Sequence, residues 1–174
     1  MLVALKGLPS IGKSTFASAL GKTLGWPVLD KDDFMDPPDS TLAYELLFGL
    51  CGRLLGQGQN VVCDSPLMYA SLYAQAQRTA SQAGARLVII ECYLAEPEHR
   101  RRVERLDQPG LAAHKIATWP ALQAYVERIS PYPTDAPCLR LDLAQPLGDL
   151  IQQAVGWLAR DAPAGSGPVV PGGA

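Results

Sequence analysis

The residues whose spacing is most specific for chemistry are Gly7, Gly12, Lys13 and Ser14, inside the stretch GLPSIGKST. They satisfy G-x-x-x-x-G-K-[ST], with an apolar run before the pattern and a helical period after it. Glycines at the bends would let backbone N–H groups of the loop turn inward around a β-phosphate, with Gly7, Ser10, Ile11 and Gly12 as nucleotide-binding positions. The helix that follows would aim its positive end at the same anion. Lys13 would then bridge the β- and γ-phosphates and Ser14 would give its hydroxyl to a magnesium ion. Thr15, one residue deeper, would reach the α-phosphate. A chance match is the alternative, and the flanking strand and helix argue against it.

If a phosphoryl group goes to a hydroxyl, some group must accept that hydroxyl's proton and hold it in line. The second apolar run ends VLDKDDF, which sets Asp30, Asp32 and Asp33 at the carboxyl edge of a parallel sheet, where ligands bind in open α/β folds. Asp32 is the candidate base and Asp33 its fallback or a substrate contact; three acids in four positions could also cap a helix. The third run ends VVCDSPL, making Asp64 the candidate for holding magnesium or its bound water. The competing role for Asp64 is to cap a helix begun by Ser65 and Pro66. In EPEHRRRVER, i,i+4 spacing pairs Glu96 with Arg100 and Glu98 with Arg102. Arg101 and Arg105 are left to stabilise charge on a transferred phosphoryl group, or to form a plain solvated face, with Arg102 as a third candidate. The stretch DFMDPPDSTLAYELLFG would line the acceptor pocket, with Tyr44 and Glu45 presenting polar groups.

These residues need a scaffold, and the sequence describes one. The apolar runs LVALKG, WPVLD, NVVCD, RLVIIECYL and CLRLDL alternate with stretches of helical period, the pattern of repeated β-α units around a parallel sheet. Helices are expected through Phe16, Leu20 and Leu24, over 41–55 and 67–83, through Leu122, Tyr125, Val126 and Ile129, and from Leu147 to Leu158. The stretch DQPGLAAHKIATWP lacks a period and would fit a lid or a surface loop. The end, RDAPAGSGPVVPGGA, reads as a disordered tail over 159–174.

The 174 residues, 48% hydrophobic and 18% charged, suit one globular domain. A net charge of -2 does not supply the basic excess a phosphate backbone demands, so duplex nucleic acid is not expected as a partner, whereas a short end or a nucleotide is compatible. Cys51, Cys63, Cys92 and Cys138 lie in apolar runs without C-x-x-C spacing and read as reduced core thiols of a cytoplasmic protein. The opening MLVALKG runs directly into a strand, and no apolar stretch reaches the roughly 18 residues of a membrane span. Neither export nor a membrane partner is expected. Either a monomer or a homodimer is compatible.

In order and spacing, GLPSIGKST, LDKDDF, VVCDSPL and ECYLAEPEHRRRVER followed by HKIATWPALQAY resemble the P-loop small-molecule kinases and the AAA-type ATP-binding proteins grouped with them. That group includes shikimate and gluconate kinases, chloramphenicol phosphotransferase, zeta toxins and polynucleotide 5′-hydroxyl kinases. The resemblance covers residues 1–158. It implies an α/β P-loop NTPase three-layer sandwich: a five-stranded parallel sheet in order 2-3-1-4-5, helices on both faces, and a lid at about 106–119. It also implies ATP and Mg2+ as cofactors, adenine near the lid and last strand, and Asp32 in the place of the acceptor-activating aspartate of the polynucleotide kinases. Ser10 and Ile11 depart from the usual Gly-Ser, and there is no Gly-rich acceptor loop of the shikimate-kinase kind. The implied activity is transfer of the γ-phosphate of ATP to a hydroxyl of a small molecule. Two alternatives stand beside it: a kinase of polynucleotide ends or nucleotide sugars, and an ATPase or nucleotide-sensing module with a protein partner.

Overall fold

The computed structural model describes residues 1–34, 40–106, 116 and 118–161. Within them the five apolar runs form β1 (Leu2–Lys6), β2 (Val28–Asp30), β3 (Val61–Asp64), β4 (Leu87–Tyr93) and β5 (Cys138–Asp142). Every pairing is parallel and the order is β2-β3-β1-β4-β5, the topology the sequence implies. β1 is central, and Leu2, Val3, Ala4 and Leu5 have no exposed surface. A strand covered on both faces must be apolar throughout, which is why it shows no alternation.

The period of two sends its side chains into two separate cores. On one face Leu2 and Ala4 pack with Leu47 and Cys51 of α2 (Ser40–Gly56) and with Leu72 and Ala76 of α3 (Ala70–Gln82). On the other, Val3 and Leu5 meet Phe16 and Leu20 of α1 (Lys13–Leu24) and Leu150, Ala154 and Leu158 of α6 (Leu147–Asp161). The result is three layers. Gly21 lets α1 lie directly against β2, since a Cβ there would stand 2.2 Å from Val28 Cγ2. That close seating holds the first turn of α1 over the carboxyl edge of the sheet. α4 (Glu96–Leu106) and α5 (Trp119–Val126) follow β4, and Thr118 Oγ1 caps α5 by accepting from Ala121 N–H.

Three elements differ from expectation. α3 starts at Ala70 rather than Leu67, because Ser65–Tyr69 is committed elsewhere. The Pro66 carbonyl accepts from Gly7 N–H at 3.0 Å, and Leu67 turns into the core at φ 44° with its own carbonyl taken by the Tyr132 hydroxyl. α5 ends at Val126, so Ile129 follows the helix instead of extending it. α6 runs to Asp161, so 159–161, expected to begin the disordered tail, are helical instead. Residues 107–115 and 117 of the expected lid, and 162–174 of the tail, lie outside the described residues. Among the described residues no helix is long and apolar enough to cross a membrane.

Candidate functional site

The loop between β1 and α1 is shaped by three left-handed residues. Gly7 sits at φ 154°, where a Cβ would be 2.5 Å from the Cys92 carbonyl oxygen, so only glycine fits. Gly12, at φ 105°, is the N-cap of α1 and offers no capping side chain, and no acid stands in the first helical turn. The first N–H groups of α1 are thereby left without side-chain acceptors, facing out as a ready anion site. Ser10 adopts φ 64°, a region that costs a non-glycine residue about 1–2 kcal/mol. Ile11 buries its side chain in the α1 and α6 core and anchors the loop from below. Lys13 Nζ donates to the Leu8 carbonyl at 2.8 Å, folded back across the loop. Burial lowers its pKa, and Asp64 is the leading influence in the opposite direction. Ser14 and Thr15 are exposed at the mouth.

Opposite the loop stand the carboxylates of two neighbouring strand ends. Asp30 and Asp64 are in register across β2 and β3. Asp64 is only 4% exposed, and its Oδ2 has no hydrogen-bond partner. Desolvation raises its pKa to about 6; a hydrogen bond from Ser14 opposes that rise and the nearby Asp30 adds to it. A buried, orphaned carboxylate oxygen beside a serine hydroxyl is an incomplete coordination shell, and its donors are hard oxygens suited to magnesium. Among the described residues no group of three or more His, Cys, Asp or Glu side chains could hold a metal alone. That fits an ion which takes one or two protein ligands and completes its shell with phosphate and water.

Asp32 lies in a short 3-10 turn, Lys31–Phe34, immediately after β2. Its backbone N–H donates to Asp30 Oδ1 at 2.9 Å and its carboxylate pairs with Lys31. Tyr44 of α2 is half-buried, and its hydroxyl pKa is pushed up first by burial, then by Tyr125 and Asp32. Asp33 is exposed on the same turn. The structure thus gathers Gly7 through Thr15, Asp64, Asp32 and Tyr44 at one sheet edge, with Asp30 as an additional member.

α4 does not pair as its spacing suggests. Arg100 bonds Glu104 at 2.8 Å rather than Glu96. Arg101, expected to be left over, pairs with Glu98 while most of its side chain is exposed. Arg105 is exposed near the end of the helix. Arg102 reaches the loop: its Nε donates to Glu98 at 3.2 Å, one Nη to the Ile11 carbonyl at 2.5 Å and the other to the Leu143 carbonyl at 3.0 Å. It is an inward residue because Val103 and His99, its neighbours on the helix, are the buried positions. His99 meets the Pro9 carbonyl at 2.8 Å. Its lone position inside an arginine run gave no sequence signal, and the only hint was that it lies one turn from Val103 on an apolar face.

With that geometry in view, comparison supplies the relationship. Residues 2–129 match the AAA domain family AAA_33. The chain belongs to that family. The fold of this AAA_33 chain is shared by Kti12 from Chaetomium thermophilum, solved with ADP-AlF3, at 20% identity and TM-score 0.77 over 95% of this chain and 100% of that one. A gluconokinase from Sinorhizobium meliloti 1021 is 19% identical, with TM-score 0.68 over 92% of each chain. The APS kinase CysC of Mycobacterium tuberculosis, solved with AMPPNP and APS, is 23% identical, with TM-score 0.64 over 91% and 96%. At such identities the likeness establishes the fold, a P-loop NTPase sandwich. No curated protein is significantly similar to the AAA_33 chain in sequence.

Proposed function

We propose that the protein is an ATP- and Mg2+-dependent kinase that transfers the γ-phosphoryl group to a hydroxyl of a small molecule. The observation that carries this reading is the uncapped start of α1, with left-handed Gly12 followed by helical Lys13 and Ser14, set against the buried, orphaned carboxylate of Asp64. Backbone N–H groups of the loop would hold the phosphates, and Lys13, released from the Leu8 carbonyl, would neutralise their charge. Ser14 and Asp64 would hold the magnesium ion, which supplies charge neutralisation between the phosphates when bound. Asp32 would accept the acceptor's proton, with Asp33 and Tyr44 contacting the acceptor. Arg101 and Arg105 would reach the transferring group from the lid side. The likeness to a gluconokinase and to an APS kinase solved with AMPPNP and APS supports the small-molecule reading.

The deciding experiment is ATP consumption with magnesium, with and without a panel of sugars, nucleosides, aminoglycosides, phenicols and short oligonucleotides. Turnover that rises with one acceptor class and vanishes in Lys13→Ala supports the kinase. Asp32→Asn should then lose about 10²- to 10⁴-fold in transfer while still binding ATP. A second reading, an ATPase or nucleotide-sensing module, draws on the likeness to Kti12 solved in complex with ADP-AlF3. Lys13-dependent turnover indifferent to every acceptor would select it.

A further inference from the structure

The phosphate-binding loop does not rest on a filled core along its whole length. Beneath it lies a cavity of about 170 Å3 lined by Gly7, Leu8, Ile11, Cys92, His99 and Arg140. A loop flanked by such a cleft, with one non-glycine residue in a left-handed conformation, needs polar ties to hold its N–H groups in one orientation. Three such ties are present. Arg102 donates to the Ile11 carbonyl, Ser10 Oγ donates to the Ile116 carbonyl at 3.2 Å, and His99 donates from Nε2 to the Pro9 carbonyl at 2.8 Å.

The third differs from the others in being buried: His99 is 3% exposed, inside the wall of the cavity. Because a carbonyl can only accept, Nε2 must carry the hydrogen. The same ring stands edge-on to Trp119, centroids 5.7 Å apart at 88°. Trp119 is the first residue of α5, on the far side of the segment that joins α4 to α5. One imidazole therefore touches the loop through a hydrogen bond and α5 through its ring.

Building on the nucleotide-binding reading above, we propose that His99 is a positioning residue. It fixes the Pro9–Ser10 peptide so that the loop's N–H groups converge on phosphate, and it couples that geometry to α5 through Trp119. The charges around it set which form of the ring serves. Lys13 of α1 and Arg102 of α4 face it as cations, and Lys6, Glu91 and Arg140 of β1, β4 and β5 share the cavity with the Cys92 thiol. Burial first, then Lys13 and Arg102, hold its pKa below the ordinary histidine value, so the ring is neutral at pH 7. Bound phosphate brings negative charge to the loop and should raise that pKa. Nucleotide binding and protonation of His99 are therefore linked.

The test uses the full chain, Mg-ADP as probe and two variants. Glutamine keeps an N–H donor able to reach the Pro9 carbonyl, and leucine keeps bulk without a donor. His99→Leu should weaken Mg-ADP binding by about tenfold, and His99→Gln should recover to within about threefold of wild type. In the wild type, Trp119 fluorescence should be quenched as pH falls and imidazolium forms beside it, with Trp119→Phe removing that component. Mg-ADP should move the quench midpoint to higher pH. Equal affinity in all three proteins, or a midpoint indifferent to Mg-ADP, overturns the proposal. If His99→Leu does not fold, the wild-type midpoint shift with Mg-ADP decides the matter. Wild-type protein that shows the pH-dependent quench yet binds no nucleotide overturns the nucleotide reading, and the positioning role with it.

Discussion

Asp64 shows how a single residue can be set against the stability of its own fold. With its pKa raised from 3.8 to about 6, the native state holds a proton that the unfolded chain has released between those two values. The stability this group contributes is fully present below pH 3.8 and is lost as pH rises through about 6. At neutral pH the ionised carboxylate costs about 3 kcal/mol. Asp64→Asn should therefore raise the melting temperature at pH 7.5, by roughly 4–10 °C, while removing most magnesium-dependent turnover. A calorimetric scan of both proteins checks the first half; a variant that melts lower would remove the case for a strained site. Magnesium should reverse the sign for the wild type, because a cation beside Oδ2 supplies the missing partner. Magnesium-dependent nucleotide binding should weaken as pH falls through about 6, where Asp64 takes up its proton.

At the scale of elements, α4 is the part that matters most to the loop. Its inner face carries His99, Arg102 and Val103, and its outer face carries Arg100, Arg101 and Glu104. Arg102→Ala frees the Ile11 and Leu143 carbonyls together, so it should raise the KM for ATP by about tenfold or more. Arg101→Ala and Arg105→Ala should instead lower kcat if they close over the transferring group, leaving KM nearly unchanged. Steady-state kinetics on the three variants separates these effects. Silent Arg101 and Arg105 variants would mean that this edge of α4 is a solvated face. Sequence spacing alone assigned Glu98 to Arg102 correctly, yet it could not show that Glu98 also holds Arg101, nor that Arg102 spans to two backbone carbonyls contributed by distant segments.

For the whole molecule, the two cores on either side of β1 leave the carboxyl edge as the place where loop, strand ends and α4 converge. A ligand that binds only this assembled edge should stabilise the entire cooperative unit. Mg-ADP at one hundred times its Kd should contribute about 2.7 kcal/mol, or roughly 5–10 °C in melting temperature. Lys13→Ala or removal of magnesium by EDTA should abolish most of that shift, and a shift that survives both would place binding elsewhere. Without ligand, His99 and Asp64 act in opposite directions in mild acid. The lowered pKa of His99 gives stability that is present above pH 6.5 and lost as pH falls, whereas Asp64 regains stability as it protonates. Denaturant midpoints between pH 5 and 8 for His99→Gln and Asp64→Asn resolve the two contributions.

The sequence by itself determined the parallel strands, their flanking helices and the glycine–lysine–serine loop. These are set by local rules: continuous apolar runs for strands covered on both faces, periodic apolar positions for helices, and glycine where φ is positive. It also placed Asp64 at the end of β3 and Asp32 just beyond β2, because residues that end or follow an apolar run emerge at the sheet edge. Only the tertiary structure decided that Asp30 stands in register with Asp64, that Ser65–Tyr69 stays out of the helix so that the Pro66 carbonyl can hold Gly7, and that His99 and Arg102 hold the loop from α4. Each of these joins segments far apart in the chain, and in all but the strand pairing the acceptor is a backbone carbonyl. A backbone carbonyl is present at every residue, so the sequence cannot mark which one a distant side chain will find.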